Sequence, residues 1–140
     1  MEQTVAAMNG SALVRRWSPR LTSVRRARGE LRGVLAKWGL EAIEGEALVV
    51  LSELLTNAVM HARVPPGREI ETRFLPQPNG LRIQVDDADS TRPRPCGQNS
   101  EGGRGLELVA ALSDSWGVSD RDGIGKSVWA VLTAPGRKDA

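Results

Sequence analysis

The run Glu53-Leu54-Leu55-Thr56-Asn57-Ala58-Val59-Met60-His61 constrains this chain more than any other stretch. It sets a carboxylate, a carboxamide and an imidazole at four-residue spacing inside a strongly helical segment. On a helix those three side chains share one face, each about 6 Å beyond the last. Leu51, Leu54, Leu55, Ala58 and Val59 supply an opposite face suited to a core. A polar stripe on a helix that is otherwise buried suits a ligand, and a magnesium nucleotide fits its chemistry. Asn57 offers a neutral oxygen to a hard cation already loaded with phosphates, and Glu53 can take a proton from a hydroxyl or a water. Taken alone, the triplet reads equally well as a solvated helix face.

Two further blocks follow in order. Val85-Asp86-Asp87-Ala88-Asp89 ends an alternating strand, and Gly102-Gly103-Arg104-Gly105-Leu106-Glu107-Leu108-Val109 opens a helix. A glycine-rich turn at a helix N-terminus presents free N–H groups and the positive end of the helix dipole, which bind phosphate oxygens. A tight loop-to-helix turn without a ligand is the alternative there. For Asp87 the alternative is one of three acids clustered at a solvated strand end. Two other phosphate motifs fail on their details. Gly125-Lys126-Ser127 looks like the end of a P-loop, but Asp120 stands where the first glycine belongs, and a strand follows rather than a helix. A dinucleotide fingerprint at Gly103-Arg104-Gly105 fails because Leu108 occupies its third glycine position.

The remaining pattern predicts a single two-layer α/β sandwich. Ala12 to Trp17 reads as a short strand. Leu21 to Trp38 reads as an amphipathic helix with Val24, Ala27, Leu31, Val34, Leu35 and Trp38 inward, ended by Gly39. A long helix follows over Glu41 to Ala62. Strands are expected over Glu69 to Leu75 and Leu81 to Asp86, joined by a hairpin signal at Pro76-Gln77-Pro78-Asn79-Gly80. Ile70, Thr72 and Phe74 share one face of the first, and Leu81, Ile83 and Val85 one face of the second. Ser90 to Gly102, rich in Pro, Gly and Arg, has the length and composition of a lid. Arg104 to Leu112 is a third helix, and Trp116 to Ser119 and Lys126 to Leu132 are the last strands. The expected fold is a mostly antiparallel mixed sheet covered on one face by three helices. Residues 1–10 and 133–140 fall outside the expected domain, 11–132.

Composition adds bounds. No apolar run in the 140 residues is long enough to span a bilayer, and Met1 to Gly10 lacks the features of a signal peptide. The single Cys96 cannot form an internal disulfide, so a cytoplasmic location is expected; the thiol reads as a bystander, although Arg92 and Arg94 flank it. Charge is unevenly spread. Eight basic residues between Ser11 and Lys37 (Arg15, Arg16, Arg20, Arg25, Arg26, Arg28, Arg32 and Lys37) face Glu30 alone, leaving that stretch at +7 and the rest at −5 of the total +2. Such a stretch reads as a docking patch for an acidic protein surface or as a solvated helix face. Aromatic interleaving is poor and no DNA-binding motif is visible, so direct nucleic-acid binding is not expected.

In this order the three blocks resemble the ATP-binding domain shared by gyrase, sensor histidine kinases, MutL and the anti-sigma-factor serine kinases. The wording Glu-Leu-Leu-Thr-Asn-Ala-Val-Met-His-Ala, the Gly-Gly-Arg-Gly-Leu block and the ending Gly125-Lys126-Ser127-Val128-Trp129-Ala130 are similar to the small single-domain regulators of actinobacteria. The resemblance covers Ser11 to Leu132. It implies an ATP-binding regulator that phosphorylates an anti-sigma-factor antagonist on serine or threonine and sequesters a sigma factor, with a homodimer and no membrane. It implies Glu53 as the base, Asn57 as the magnesium ligand, and His61 beside the phosphates. Asp87 would accept a hydrogen bond from the adenine amino group, Gly103, Arg104, Gly105 and Leu106 would form the phosphate turn, and Lys126 and Ser127 would lie near the nucleotide. Ala88, Asp89 and Ser90 depart from the glycines found there in many members. That departure weakens adenine approach and keeps a second reading open, a non-catalytic interaction module of the same fold.

Overall fold

A computed structural model describes residues 12–61, 69–87, 103–120 and 125–135. The first strand, β1 (Leu13–Trp17), leads into helix α1 (Leu21–Trp38). The apolar positions of α1 recur at helical spacing, and Ala27, Leu31, Val34 and Leu35 are buried as expected. Its end is built by Gly39 at φ 72°, which only glycine adopts without strain. The Gly39 N–H donates to Ala36 and the Leu40 N–H to Leu35, so two terminal carbonyls find donors while Leu40 turns into the core.

The long second helix is expected from Glu41, but the chain first makes one 3-10 turn (Glu41–Ile43) and then α2 (Glu44–His61). The tighter turn lets Leu40 and Ile43 both enter the core across the break. Ala62 and the Val64–Gly67 breaker lie outside the described residues. Strands β2 (Ile70–Gln77) and β3 (Gly80–Asp87) run further than the alternation suggests, leaving only Pro78 and Asn79 in the turn. Pro78 holds φ negative and Asn79 takes φ 57°, a conformation asparagine tolerates. Pro76 sits inside β2 beyond the last residue paired with β1, where a strand that has become an edge admits a residue without an N–H. Helix α3 (Gly103–Leu112) precedes β4 (Ser115–Asp120) and β5 (Lys126–Thr133).

The five strands form one sheet in the order β1-β2-β3-β5-β4. All four pairings are antiparallel, so the parallel element of the expected mixed sheet is not found among the described residues. The reason lies in the order of elements: β2-β3 is a direct hairpin, the antiparallel pair α1-α2 brings the chain back to the end of the sheet where β1 finished, and α3 carries it to the end from which β4 runs back beside β5. One face of the sheet carries Ile70, Thr72, Phe74, Leu81, Ile83, Val85, Val128, Ala130 and Leu132, all buried beneath the helices. Fully burying a large aliphatic or aromatic side chain contributes about 1.5–3 kcal/mol, so this shared core is the main stabilising layer. Trp17 packs at its margin, its indole N–H donating to the buried Thr72 hydroxyl at 2.9 Å.

Candidate functional site

Helix directions follow from side-chain contacts. Arg28 of α1 donates to the Leu48 carbonyl and the Ser52 hydroxyl of α2, whereas Arg32, one turn later, pairs with Glu44 at 3.7 Å. The pairing descends in number, so the two helices run antiparallel. Three residues separate the Trp17 end of β1 from the start of α1, and α2 therefore returns toward that same end, carrying Glu53 and Asn57 with it. Register places Trp17 opposite Ile70, and Asp87 opposite Lys126, at this end of the sheet. Helix α3 starts there too, because it finishes beside the opposite end, where Ser115 pairs with Val131. One end of the sandwich thus gathers the start of α1, the end of α2, the start of α3, the Asp87 end of β3 and the Lys126 end of β5.

Glu53 and Asn57 are half-buried on α2, flanked by the buried Leu54, Leu55 and Ala58. Helix α2 packs on β3, β5 and α3, which turns its C-terminal half toward the strand ends that carry Asp87 and Lys126. His61 closes α2; its side chain lies outside the described residues. Helix α3 begins at Gly103, one residue earlier than expected. Gly103, Arg104, Gly105 and Leu106 are therefore its first four residues, whose N–H groups have no acceptor within the helix. The side chains of Arg104 and its glycine neighbours are outside the described residues. That of Leu106 is 2 % exposed, so any contact it makes with phosphate is through its backbone N–H.

Asp87 is 2 % exposed, and the Lys126 ammonium reaches both of its carboxylate oxygens, at 3.2 and 3.3 Å. A carboxylate buried this deeply needs a cationic partner, and the directly opposed strand position provides one. Both residues are expected near the nucleotide; the structure shows in addition that they pair with each other. Their separation of 39 positions hides the pairing until the β3-β5 register is known. Strand alternation separates Ser127 from Lys126. Ser127 stands on the opposite face, where its hydroxyl donates to Asp86 rather than pointing toward Asp87. The expected grouping of Lys126 with Ser127 is thus split by the pleat. Residues 88–102, with Ala88, Asp89, Ser90, Cys96 and the expected lid, lie outside the described residues.

Among the described residues no cluster of three His, Cys, Asp or Glu side chains is arranged to hold a metal ion. A magnesium ion that arrives on phosphate oxygens asks little more of the protein than one or two oxygens, of the kind the Asn57 carboxamide carries. The half-buried Asn57 carboxamide is a neutral donor of the kind that fits a nucleotide-borne cation. Together the elements bring the buried Asp87 carboxylate, the first turn of α3 and the half-buried acid and amide of α2 to one end of the sandwich.

The basic stretch is partly consumed by the fold. Arg15 pairs with Glu30 at 2.9 Å, and Arg28 and Arg32 tie α1 to α2. Arg16, Arg20 and Arg26 instead line a cleft at the start of α1, a grouping that sequence spacing did not reveal. None of the described helices is long and apolar enough to cross a membrane. Compared with known protein families, residues 17–132 match the histidine kinase-like ATPase domain. A comparison with curated proteins finds no match.

Proposed function

Because the chain belongs to the histidine kinase-like ATPase domain family and so binds ATP, we propose that it is an anti-sigma factor acting as a serine/threonine-protein kinase on an anti-sigma-factor antagonist. The observation that carries this reading is the half-buried pair Glu53 and Asn57 on the C-terminal half of α2, the helix that packs on α3. A binding module has no use for a carboxylate beside the phosphates, where it repels them; a kinase has a use for it as a base. Asp87, held by Lys126, accepts the adenine amino group and orients the base. The first-turn N–H groups of α3, with His61 nearby, hold the phosphates, and Asn57 donates an oxygen to Mg2+. When bound, the cation offsets phosphate charge. Glu53 accepts the proton of the attacking serine or threonine hydroxyl. The expected partners are a sigma factor and its antagonist, with the protein acting as a cytoplasmic homodimer.

The second reading, an ATP-binding interaction module without phosphate transfer, draws on Asp87. Its carboxylate already serves Lys126, so the adenine amino group must share it. One comparison separates the two. Glu53→Ala should keep ATP and partner binding while transfer of labelled phosphate to the co-purified antagonist falls by about 10² to 10⁴. Asn57→Ala should weaken binding with magnesium far more than without it. A wild-type protein that holds its partner and transfers no phosphate leaves the module reading standing, and undiminished transfer by Glu53→Ala removes Glu53 from the chemistry.

A further inference from the structure

The cleft at the start of α1 has a volume of about 330 Å³ and is lined by Arg16, Arg20 and Arg26 together with Ser18, Thr22 and Glu69. Other arginines of this region are committed to structural contacts, as Arg15, Arg28 and Arg32 show. Arg20 and Arg26 have no ion pair among the described residues, and Arg16 only approaches Glu71 at 4.0 Å. Three guanidinium groups facing one concavity repel one another, an arrangement relieved by an anion that accepts several N–H donors at once. A phosphate monoester, with two negative charges and three acceptor oxygens, meets that requirement better than a carboxylate.

The place of the cleft selects the form of the ligand. Strand β1 is at an edge of the sheet, so among the described residues its outer N–H and C=O groups have no strand partner. That free edge runs from Leu13 to Trp17 and ends at the cleft. An extended peptide added alongside β1 would form backbone hydrogen bonds and deliver one side chain among the arginines. The other edge strand, β4, ends in Asp120 and follows Asp114, and its charge opposes an anion. A free phosphate ion would use the arginines alone and forgo the edge. The cleft is also at the same end of the sandwich as Asp87, two strands away, or on the order of 10 Å at ordinary strand spacing.

We infer that the edge of β1 and the Arg16–Arg20–Arg26 cleft form a docking site for an extended protein segment bearing a phosphorylated serine or threonine. The site uses none of the residues assigned to the nucleotide, and its fate is independent of the kinase reading. The probe is a short capped peptide of alternating valine and threonine with one central phosphoserine, compared by calorimetry at physiological salt with its unphosphorylated twin, with inorganic phosphate and with random duplex DNA.

The phosphopeptide should bind about tenfold or more tightly than its twin and than inorganic phosphate. The double variant R20A/R26A should erase that preference while leaving ATP affinity unchanged. R25A/K37A removes the same charge from exposed positions of the same helix outside the cleft and should retain the preference. Glu69→Gln should strengthen phosphopeptide binding by a few fold, since it removes the one acid of the lining. Equal binding of the two peptides, or equal losses in the two double variants, would overturn the proposal. Inorganic phosphate binding as tightly as the phosphopeptide would reduce the cleft to a free-ion site, and preference for DNA would make it a nucleic-acid surface.

Discussion

Asp86 and Asp87 are neighbours in the chain and almost equally buried, yet they belong to opposite faces of the sheet and to two different kinds of structure. Asp87 lies on the helix-covered face, where Lys126 is its buried cationic partner. Asp86 lies on the outer face, where it accepts from the Ser127 hydroxyl and the Gln84 amide and pairs with Arg73 at 3.4 Å. That outer network continues along the strands: Arg73 pairs with Glu71 at 3.0 Å, and Arg82 donates to Gln84 and stacks over the Trp129 ring at 4.5 Å. Gly117 makes room for Trp129, because a Cβ there would lie 2.7 Å from the indole. The inner acid meets a buried cation in a low-dielectric layer; the outer acid shares its charge among Ser127, Gln84 and Arg73. A single charge on the inner face is therefore expected to be the more consequential for stability.

The largest expected effect tests that asymmetry directly. Asp87→Ala removes the carboxylate that the buried Lys126 ammonium reaches, and should lower unfolding free energy by about 3–5 kcal/mol and abolish ATP binding. Urea denaturation and calorimetry measure the two losses. Asp86→Ala should cost only about 1 kcal/mol, since Arg73, Gln84 and Ser127 can turn to water, and ATP affinity should stay near wild type. Equal destabilisation by the two alanines would mean that the two faces are equivalent after all. The smallest effect is expected at Arg82→Ala, about 0.5–1 kcal/mol for a half-exposed cation over Trp129, with a change in tryptophan emission and none in ATP affinity.

Much of the fold was legible because its signals are local. The apolar spacing of α1, its stop at Gly39, and the alternation of Ile70, Thr72 and Phe74 against Leu81, Ile83 and Val85 all appear in the structure as read. Element ends were less legible. Alternation stops short of Pro76 and Gln77, which are strand only because β3 pairs with them. The 3-10 turn before α2 arises from the need to bury Leu40 and Ile43 together, a tertiary demand absent from helix propensity. At the site, the order of Glu53, Asn57, Asp87 and the α3 glycines carries the resemblance to the family that residues 17–132 match, and the role of each residue rests on that resemblance.

Residue order alone set which segments are helix or strand, which face of each is apolar and which chemical groups the chain holds, because those depend on neighbours within a few positions. The tertiary structure decided what those groups meet. Register puts Lys126 against Asp87, the pleat sends Ser127 to Asp86 on the far side, and the approach of β1, Glu69 and α1 turns three of eight basic residues into one cleft. Each of these depends on contacts between segments distant in sequence, and no local spacing encodes them.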